Sequence, residues 1–276
     1  MTNRETDKAV ILARGLGTRM RKTDAGATLD ASQAAAADTG IKALIPIDRP
    51  FLDYVLHVVA QADYRRVCLI IGDEHQQIRD YIQTLNTKRL TVSFAIQEKP
   101  LGTANAVAAA EEFAADEPFL VINSDNYYPL NALEGLRHLT DPGLVAFERN
   151  TLIATSNIPA DRIAKFAIVK SRSDGYLEQV IEKPDQSIID ALEALGEGVG
   201  VSMNCWMFHK PIFEACRKIP LSPRGEYEIP AAVEYSMKHL HQKYRVINIA
   251  GQVLDMSNRG DIASVAKVLA GTEVNL

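Results

Sequence analysis

The run Val10-Ile-Leu12 opens directly into Ala13-Arg-Gly-Leu-Gly-Thr-Arg-Met20. Two glycines after a strand let backbone N–H groups approach phosphate oxygens closely, and the guanidinium of Arg19 adds a fork of donors for the same anion. This is not the dinucleotide fingerprint, because Met20 stands where a third glycine is required. It is not a Walker loop either, since no Gly-Lys-Ser/Thr follows. Taken alone, the segment is also what a tight turn looks like. Further on, Lys42 leads into Ala-Leu-Ile-Pro-Ile, an apolar setting for an isolated cation, and Asp125 follows the apolar run Phe119-Leu-Val-Ile122. In open α/β sheets ligands gather at the carboxyl ends of strands, so a carboxylate there faces the crevice; a turn-capping aspartate is the plainer reading.

The elements that must hold these residues alternate. Strands are expected at Ala9–Leu12, Arg66–Ile71, Leu90–Ile96 and Pro118–Ile122, with helices over Phe51–Gln61, Glu74–Leu85 and Thr103–Phe113. Continuous apolar strands separated by helices predict a sheet covered on both faces. The second half changes rhythm, with strands expected at Leu144–Phe147, Phe166–Val169, Tyr176–Ile181 and Val199–Phe208. Ser173-Asp-Gly-Tyr176 reads as a hairpin turn. Helices are expected after Lys210-Pro211, from Pro230 and from near Asp261, proline suiting a first helical position and aspartate a cap. The expectation is one α/β domain over residues 1–276, its two halves meeting near residue 130. No linker or internal repeat is visible. Asp24–Thr39 is alanine-rich with three aspartates and no basic residue. It reads either as a surface helix or as a mobile flap over a site.

The chain has 276 residues, 47% of them apolar and 24% charged, which is enough to bury a full core without a disulfide or metal staple. A net charge of −5 excludes a generally basic nucleic-acid binder but leaves room for a local cationic pocket. Three scattered cysteines, Cys68, Cys205 and Cys216, form no C-x-x-C and fit a reducing cytoplasm. The polar start leaves no room for a signal peptide, and the apolar runs are too short to span a bilayer, so no membrane association is expected.

Together the motifs resemble those of the sugar-1-phosphate nucleotidyltransferases. Leu12-Ala-Arg-Gly-Leu-Gly-Thr-Arg-Met20 is similar to the family's opening L-A-x-G-x-G-T-R-M/L. Lys42-Ala-Leu-Ile-Pro-Ile47 followed by Arg49-Pro50 resembles its K-x-L-x-P element, and Gln97-Glu-Lys-Pro-Leu-Gly-Thr-Ala104 its Q-x-x-x-x-G-T-A loop. Asn123-Ser-Asp125-Asn126, Glu182-Lys-Pro184, Asn204, Gly225-Glu-Tyr-Glu228 and Asp255 follow in the family's order, so the resemblance runs from Ala9 to about Leu269.

The resemblance implies a three-layer α/β/α Rossmann-like fold of the GT-A kind with a mixed, mostly parallel sheet. It implies attack by a sugar-phosphate oxygen on the α-phosphorus of a nucleoside triphosphate, with pyrophosphate leaving. Such a displacement needs positioned positive charge more than acid–base chemistry, and Arg19 and Lys42 are the residues to supply it. Leu12, Ala13, Gly15, Gly17 and Thr18 would line the nucleotide. Gln97 can offer a base edge a donor and an acceptor, Gly102 can approach that base without a Cβ, and Thr103 would cap the following helix. Asp125 and Asp255 are the implied ligands of Mg²⁺, which prefers oxygen donors and commonly takes one or two carboxylates. Asn126, Glu182, Lys183 and Asn204 are the implied sugar-phosphate contacts. The substrates are an NTP and a sugar (or cyclitol) 1-phosphate, with homo-oligomerisation left open. No hexapeptide-repeat domain follows, so no second acyltransferase activity is expected.

The chain departs from the pattern at Arg14, where the family is small, at Ile41, at Ser124, and at Met256-Ser257 after Asp255. These leave base and sugar preference unread. Two other readings stay open: a metal-dependent glycosyltransferase on a related fold, and a non-catalytic nucleotide-binding regulatory paralogue. The first is disfavoured by Asn123, where such enzymes begin an Asp-x-Asp; the second by retention of Arg19, Lys42, Asp125 and Asp255.

Overall fold

Strand β1 (Lys8–Leu12) divides its side chains between two cores: Ala9 and Ile11 enter one apolar cluster and Val10 the other. That alternation is what a strand covered on both faces requires. In the computed structural model, which describes residues 5–24, 26–182, 184–194 and 199–276, it continues through β2 (Arg66–Ile71), β3 (Thr91–Ile96) and β4 (Phe119–Asn123). Beyond these lie β5 (Asn126–Tyr127), β6 (Gly143–Glu148), β7 (Ile168–Ser171), β8 (Leu177–Ile181), β9 (Gly200–Phe208), β10 (Arg245–Ile249) and β11 (Leu254–Asp255).

The main sheet runs β10-β6-β9-β4-β1-β2-β3, with the β7–β8 pair attached to β9. Four of the six neighbouring pairs on that path are parallel, and β9 alone runs against β4 and β6. One face packs on the helices Phe51–Gln61, Leu130–Arg137 and Arg259–Leu269 through residues such as Val55, Leu133 and Ile262. The other packs on Thr103–Ala108, Pro211–Lys218 and Ile229–His239 through Val107, Phe213 and Val233. The three layers expected from the sequence are therefore present. Among the described residues no helix is long and apolar enough to cross a membrane.

The order of the path has a consequence for function. β1 lies between β2 and β4 and is parallel to both, with Leu12 opposite Ile70 on one side and Asn123 on the other. The direction of winding reverses at β1, and crevices of this type open at the carboxyl ends of the two strands concerned. β5 and β11 form a separate antiparallel ladder in which Asp255 faces Asn126.

Three expected elements come out differently. The helix over Thr103–Phe113 breaks into Thr103–Ala108 and Glu111–Ala114, because the Ala109 and Ala110 amides bond three residues back and tighten the turn. The last helix starts at Arg259 with Asn258 as its cap; Asp261 sits a turn inside and closes the capping box. Asp24–Thr39 contains a nine-residue helix, Ala31–Thr39, started by an Asp30–Gln33 capping box and ended at Gly40. Arg21 donates to its Thr39 carbonyl and Arg259 pairs with its Asp38.

Candidate active site

A cleft of about 380 Å³ opens where β1 and β4 end. Leu12, Ala13, Gly15, Gly17, Thr18, Arg19, Lys42, Gln97, Gly102, Thr103 and Asp125 all line it. These residues come from five separate stretches of chain, and the winding reversal at β1 gathers them.

The glycine loop Ala13–Gly17 leaves β1 with the Ala13 amide bonded to the Ile70 carbonyl. Its two glycines have different tasks. Gly15 is open to the cleft, and a Cβ there would meet nothing within 4 Å. Gly17 takes a φ of 60°, and a Cβ there would lie 2.2 Å from the Gly40 carbonyl oxygen. Gly17 is therefore required for the loop to pack on the turn before Lys42, whereas Gly15 leaves space for a ligand. Arg19, exposed on the short helix Thr18–Arg21, has no ion pair to another described side chain.

Lys42 begins a single 3₁₀ turn, and its Nζ donates to Asp125 Oδ2 at 2.8 Å. Asp125 follows β4, and its carbonyl accepts from the Met256 amide at 2.8 Å, which draws the β11 segment alongside. Asp255 is buried there. Its carboxylate accepts from Ser257 Oγ at 2.6 Å and from Asn126 Nδ2 at 3.4 Å, with Arg162 at 3.3 Å. Burial, and then the neighbouring charge of Asp125, push the Asp255 carboxyl up to about 6. Asp125 lines the cleft and Asp255 is buried behind it, and two such carboxylates suit an oxygen-seeking divalent cation. Among the described residues no group of three or more His, Cys, Asp or Glu side chains forms a denser site. The pair matches the sparse carboxylate requirement of Mg²⁺ and not a thiolate or imidazole cage.

Gln97 is buried, and its Nε2 donates both to the Gly102 carbonyl at 3.0 Å and to Asn105 Oδ1 at 2.9 Å. Its two N–H groups are thus spent on shaping the loop, and Oε1 is what it can offer the cleft. The donor expected of this side chain is not free. Gly102 has a φ of 101°, and a Cβ would sit 2.5 Å from the Tyr227 carbonyl oxygen. The Leu101 carbonyl accepts from Tyr227 and the Ala104 amide donates back to it, so the Gly225–Glu228 segment is laced to this loop. Thr103 does not cap its own helix. Its hydroxyl accepts from the Ile229 amide and caps the helix Ile229–His239 instead.

The expected sugar side is arranged less directly. Asn126 is buried behind the cleft, held by Asn123 and Tyr128 and donating to Asp255, so it orients that carboxylate. Asn204 lies in β9 where three residues bulge against Val145, with a φ of 54° that asparagine tolerates. Tyr128 Oη donates to the Met203 carbonyl at 2.6 Å and so ties this bulge to Asn126. Glu182 is exposed after β8, close enough to Arg224 to help hold its charge, and does not line the cleft. Lys183 lies outside the described residues.

Residues without an assigned role in the sequence also appear. Glu226 lines the cleft, carried there by the Gly-Glu-Tyr segment already visible as a motif. Arg14 lines it too, in a bidentate pair with Glu74 at 3.0 and 3.1 Å. Arg162 clamps Asp261 through both guanidinium ends while reaching Asp255, and nothing in the sequence singles it out.

The chain belongs to the nucleotidyl transferase family, whose model matches residues 8–252. It is 27% identical over 96% of its length to a glucose-1-phosphate thymidylyltransferase of Streptomyces griseus, covering 66% of that protein. It is 25% identical over 82% of its length to a low-salt glycan biosynthesis nucleotidyltransferase of Haloferax volcanii, covering 56% of it. It is also 26% identical to a UTP–glucose-1-phosphate uridylyltransferase of Bacillus subtilis, over 79% of this chain and 81% of that one. The chain thus spans little more than half to two thirds of the length of the first two. Its fold matches a UDP-glucose pyrophosphorylase solved with UDP-glucose, with a TM-score of 0.72 at 17% identity over 97% of this chain and 100% of the other.

Proposed function

We propose that this chain transfers a nucleoside monophosphate from an NTP to a sugar 1-phosphate, releasing pyrophosphate and forming an NDP-sugar. The observation that carries the reading is the convergence of the glycine loop, Arg19, Lys42 and Asp125 on one cleft at the winding reversal, with Asp255 buried behind Asp125. The Streptomyces griseus and Bacillus subtilis relatives, named as a glucose-1-phosphate thymidylyltransferase and a UTP–glucose-1-phosphate uridylyltransferase, support a hexose 1-phosphate as acceptor.

In this reading the triphosphate lies along the Ala13–Arg19 loop, with Gly15 leaving room for its oxygens. Arg19, free of ion pairs with described side chains, meets the β- and γ-phosphates as negative charge builds on the departing pyrophosphate. Lys42 leaves Asp125 for the reacting phosphate, where its ammonium offsets charge that builds during displacement. Asp125 and Asp255 would hold Mg²⁺, which supplies Lewis-acid polarisation of the phosphoryl oxygens. Asn126 and Arg162 fix the direction of the Asp255 carboxylate. The sugar phosphate enters beside the Asn204 bulge and Glu182, with no nucleic-acid or membrane partner required.

The test is pyrophosphate release with Mg²⁺, across a panel of NTPs and sugar 1-phosphates. Release that depends on both substrates is the expected result. Sugar transfer from an NDP-sugar without pyrophosphate chemistry, or nucleotide binding with no turnover on any pair, would overturn it.

A further inference from the structure

Arg14 is a large cation in the glycine loop that follows β1, and several bonds are built around it. Its side chain is only 9% exposed although it borders the cleft. Nε and one Nη grip the Glu74 carboxylate at 3.0 and 3.1 Å, and the other Nη donates to the Gln97 carbonyl. Just after β2 comes Gly72, where a Cβ would collide with both partners, 2.2 Å from Glu74 Oε2 and 2.4 Å from Arg14 Nε. The Gln97 side chain in turn holds Gly102 and Asn105. Glu74, Arg14, Gln97 and Gly102 therefore form one continuous chain of bonds along a single wall.

A guanidinium carries five N–H donors, of which three are used here, leaving one on each Nη. The wall then offers donors from Arg14, an acceptor from Gln97 Oε1, and the Gly102 N–H. Leu12, Pro100 and Ala106 add apolar surface to the same cleft. A base edge reading carbonyl, N–H, carbonyl meets that sequence with every group matched, as uracil and thymine do. Cytosine would set an unprotonated ring nitrogen against Gln97 Oε1 and an amino group against a donor, leaving polar groups unpaired in a confined site.

We propose that Arg14 is a specificity-determining residue for the nucleobase, selecting a uracil or thymine triphosphate by donating to a base carbonyl while its bond to the Gln97 main-chain carbonyl holds the loop that carries the Gln97 acceptor. This rests on the nucleotidyl-transfer reading above and adds to it the base and the residue that selects it.

The experiment measures kcat/KM for UTP, dTTP, CTP, ATP and GTP with one sugar 1-phosphate. It uses the full chain and its Arg14→Ala, Arg14→Lys and Glu74→Gln variants, with calorimetric binding of the same nucleotides alongside. The expected result is a wild-type preference for UTP or dTTP over CTP. Arg14→Ala should narrow that preference by about tenfold to a hundredfold, mostly through KM for the nucleotide. Glu74→Gln, which loosens the clamp but keeps the cation, should narrow it less, and it carries the test if Arg14→Ala does not fold. A wild-type preference for CTP or a purine triphosphate overturns the inference. So does an equal loss for every nucleotide in the Arg14 variants, which would mark a merely structural arginine. If nothing turns over but binding keeps the uracil or thymine preference and Arg14→Ala erases it, the transfer reading fails and the base-selection role stands.

Discussion

The 2.8 Å pair between Lys42 and Asp125 sets against each other two charges that the proposed function gives opposite tasks, one toward phosphate and one toward metal. Neutralising Asp125 should therefore affect metal use before it affects folding, because the side chain borders the cleft and not the core. Asp125→Asn is expected to keep its circular dichroism and melting profile while turnover falls at limiting Mg²⁺. Undiminished turnover by that folded variant in a Mg²⁺ titration would remove Asp125 from the metal site. The cations are expected to behave differently, since the proposed function aims each at charge that grows only during displacement. Arg19→Ala and Lys42→Ala should each lower kcat/KM by about 10²–10³. A loss below about tenfold would mark the altered residue as peripheral, judged against the same scale.

Among the elements, the helix Ala31–Thr39 joins the glycine loop to Lys42 and so can transmit closure from one to the other. Its anchors are few: the Arg259–Asp38 pair, the Arg21 bond to the Thr39 carbonyl, and Gln33 on the Pro46 carbonyl. Only Ala37 of the nine residues is buried, so little apolar surface holds it down. Gly40, in the left-handed conformation, is a turn point directly against Gly17. Amide exchange over Asp24–Thr39 is expected to slow when NTP and sugar phosphate are both bound, as a lid that excludes water would require. Identical exchange with and without both ligands would leave it a surface insertion. The composition of this segment already favoured a helix; what it did not carry were the tertiary anchors, which come from residues as distant as Arg259.

Across the molecule, the apolar strands and the cleft-lining loops were legible because both depend on local pattern: a buried strand reads as a continuous run, and a phosphate loop as closely spaced glycines. The antiparallel insertion of β9 and the pairing of β10 with β6 were not, since strand order is set by crossovers that leave no local mark. For the same reason Asn126 looked like a substrate contact until the β5–β11 ladder turned it toward Asp255. A second unmarked feature lies at the amino ends of the strands, the opposite end from the cleft. There Glu117 meets Arg66 at 2.7 Å and Lys8 at 2.8 Å, and Arg66 also pairs with Asp7, so β1, β2 and the approach to β4 are tied together. The hydrogen bond from Arg66, and then that from Lys8, lower the Glu117 carboxyl from 4.5 to about 2. A carboxylate depressed in the folded state adds stability above its unfolded value and loses it as pH falls from about 4.5 toward 2, because the unfolded chain takes up the proton first. Glu117 is 41% exposed, so solvent screening keeps the effect small. Glu117→Gln should therefore lower the urea midpoint modestly at pH 7, and the gap to wild type should close between pH 4.5 and 2. A gap that stays constant over that range in parallel urea titrations would show that the carboxylate contributes no charge-dependent stability at this end.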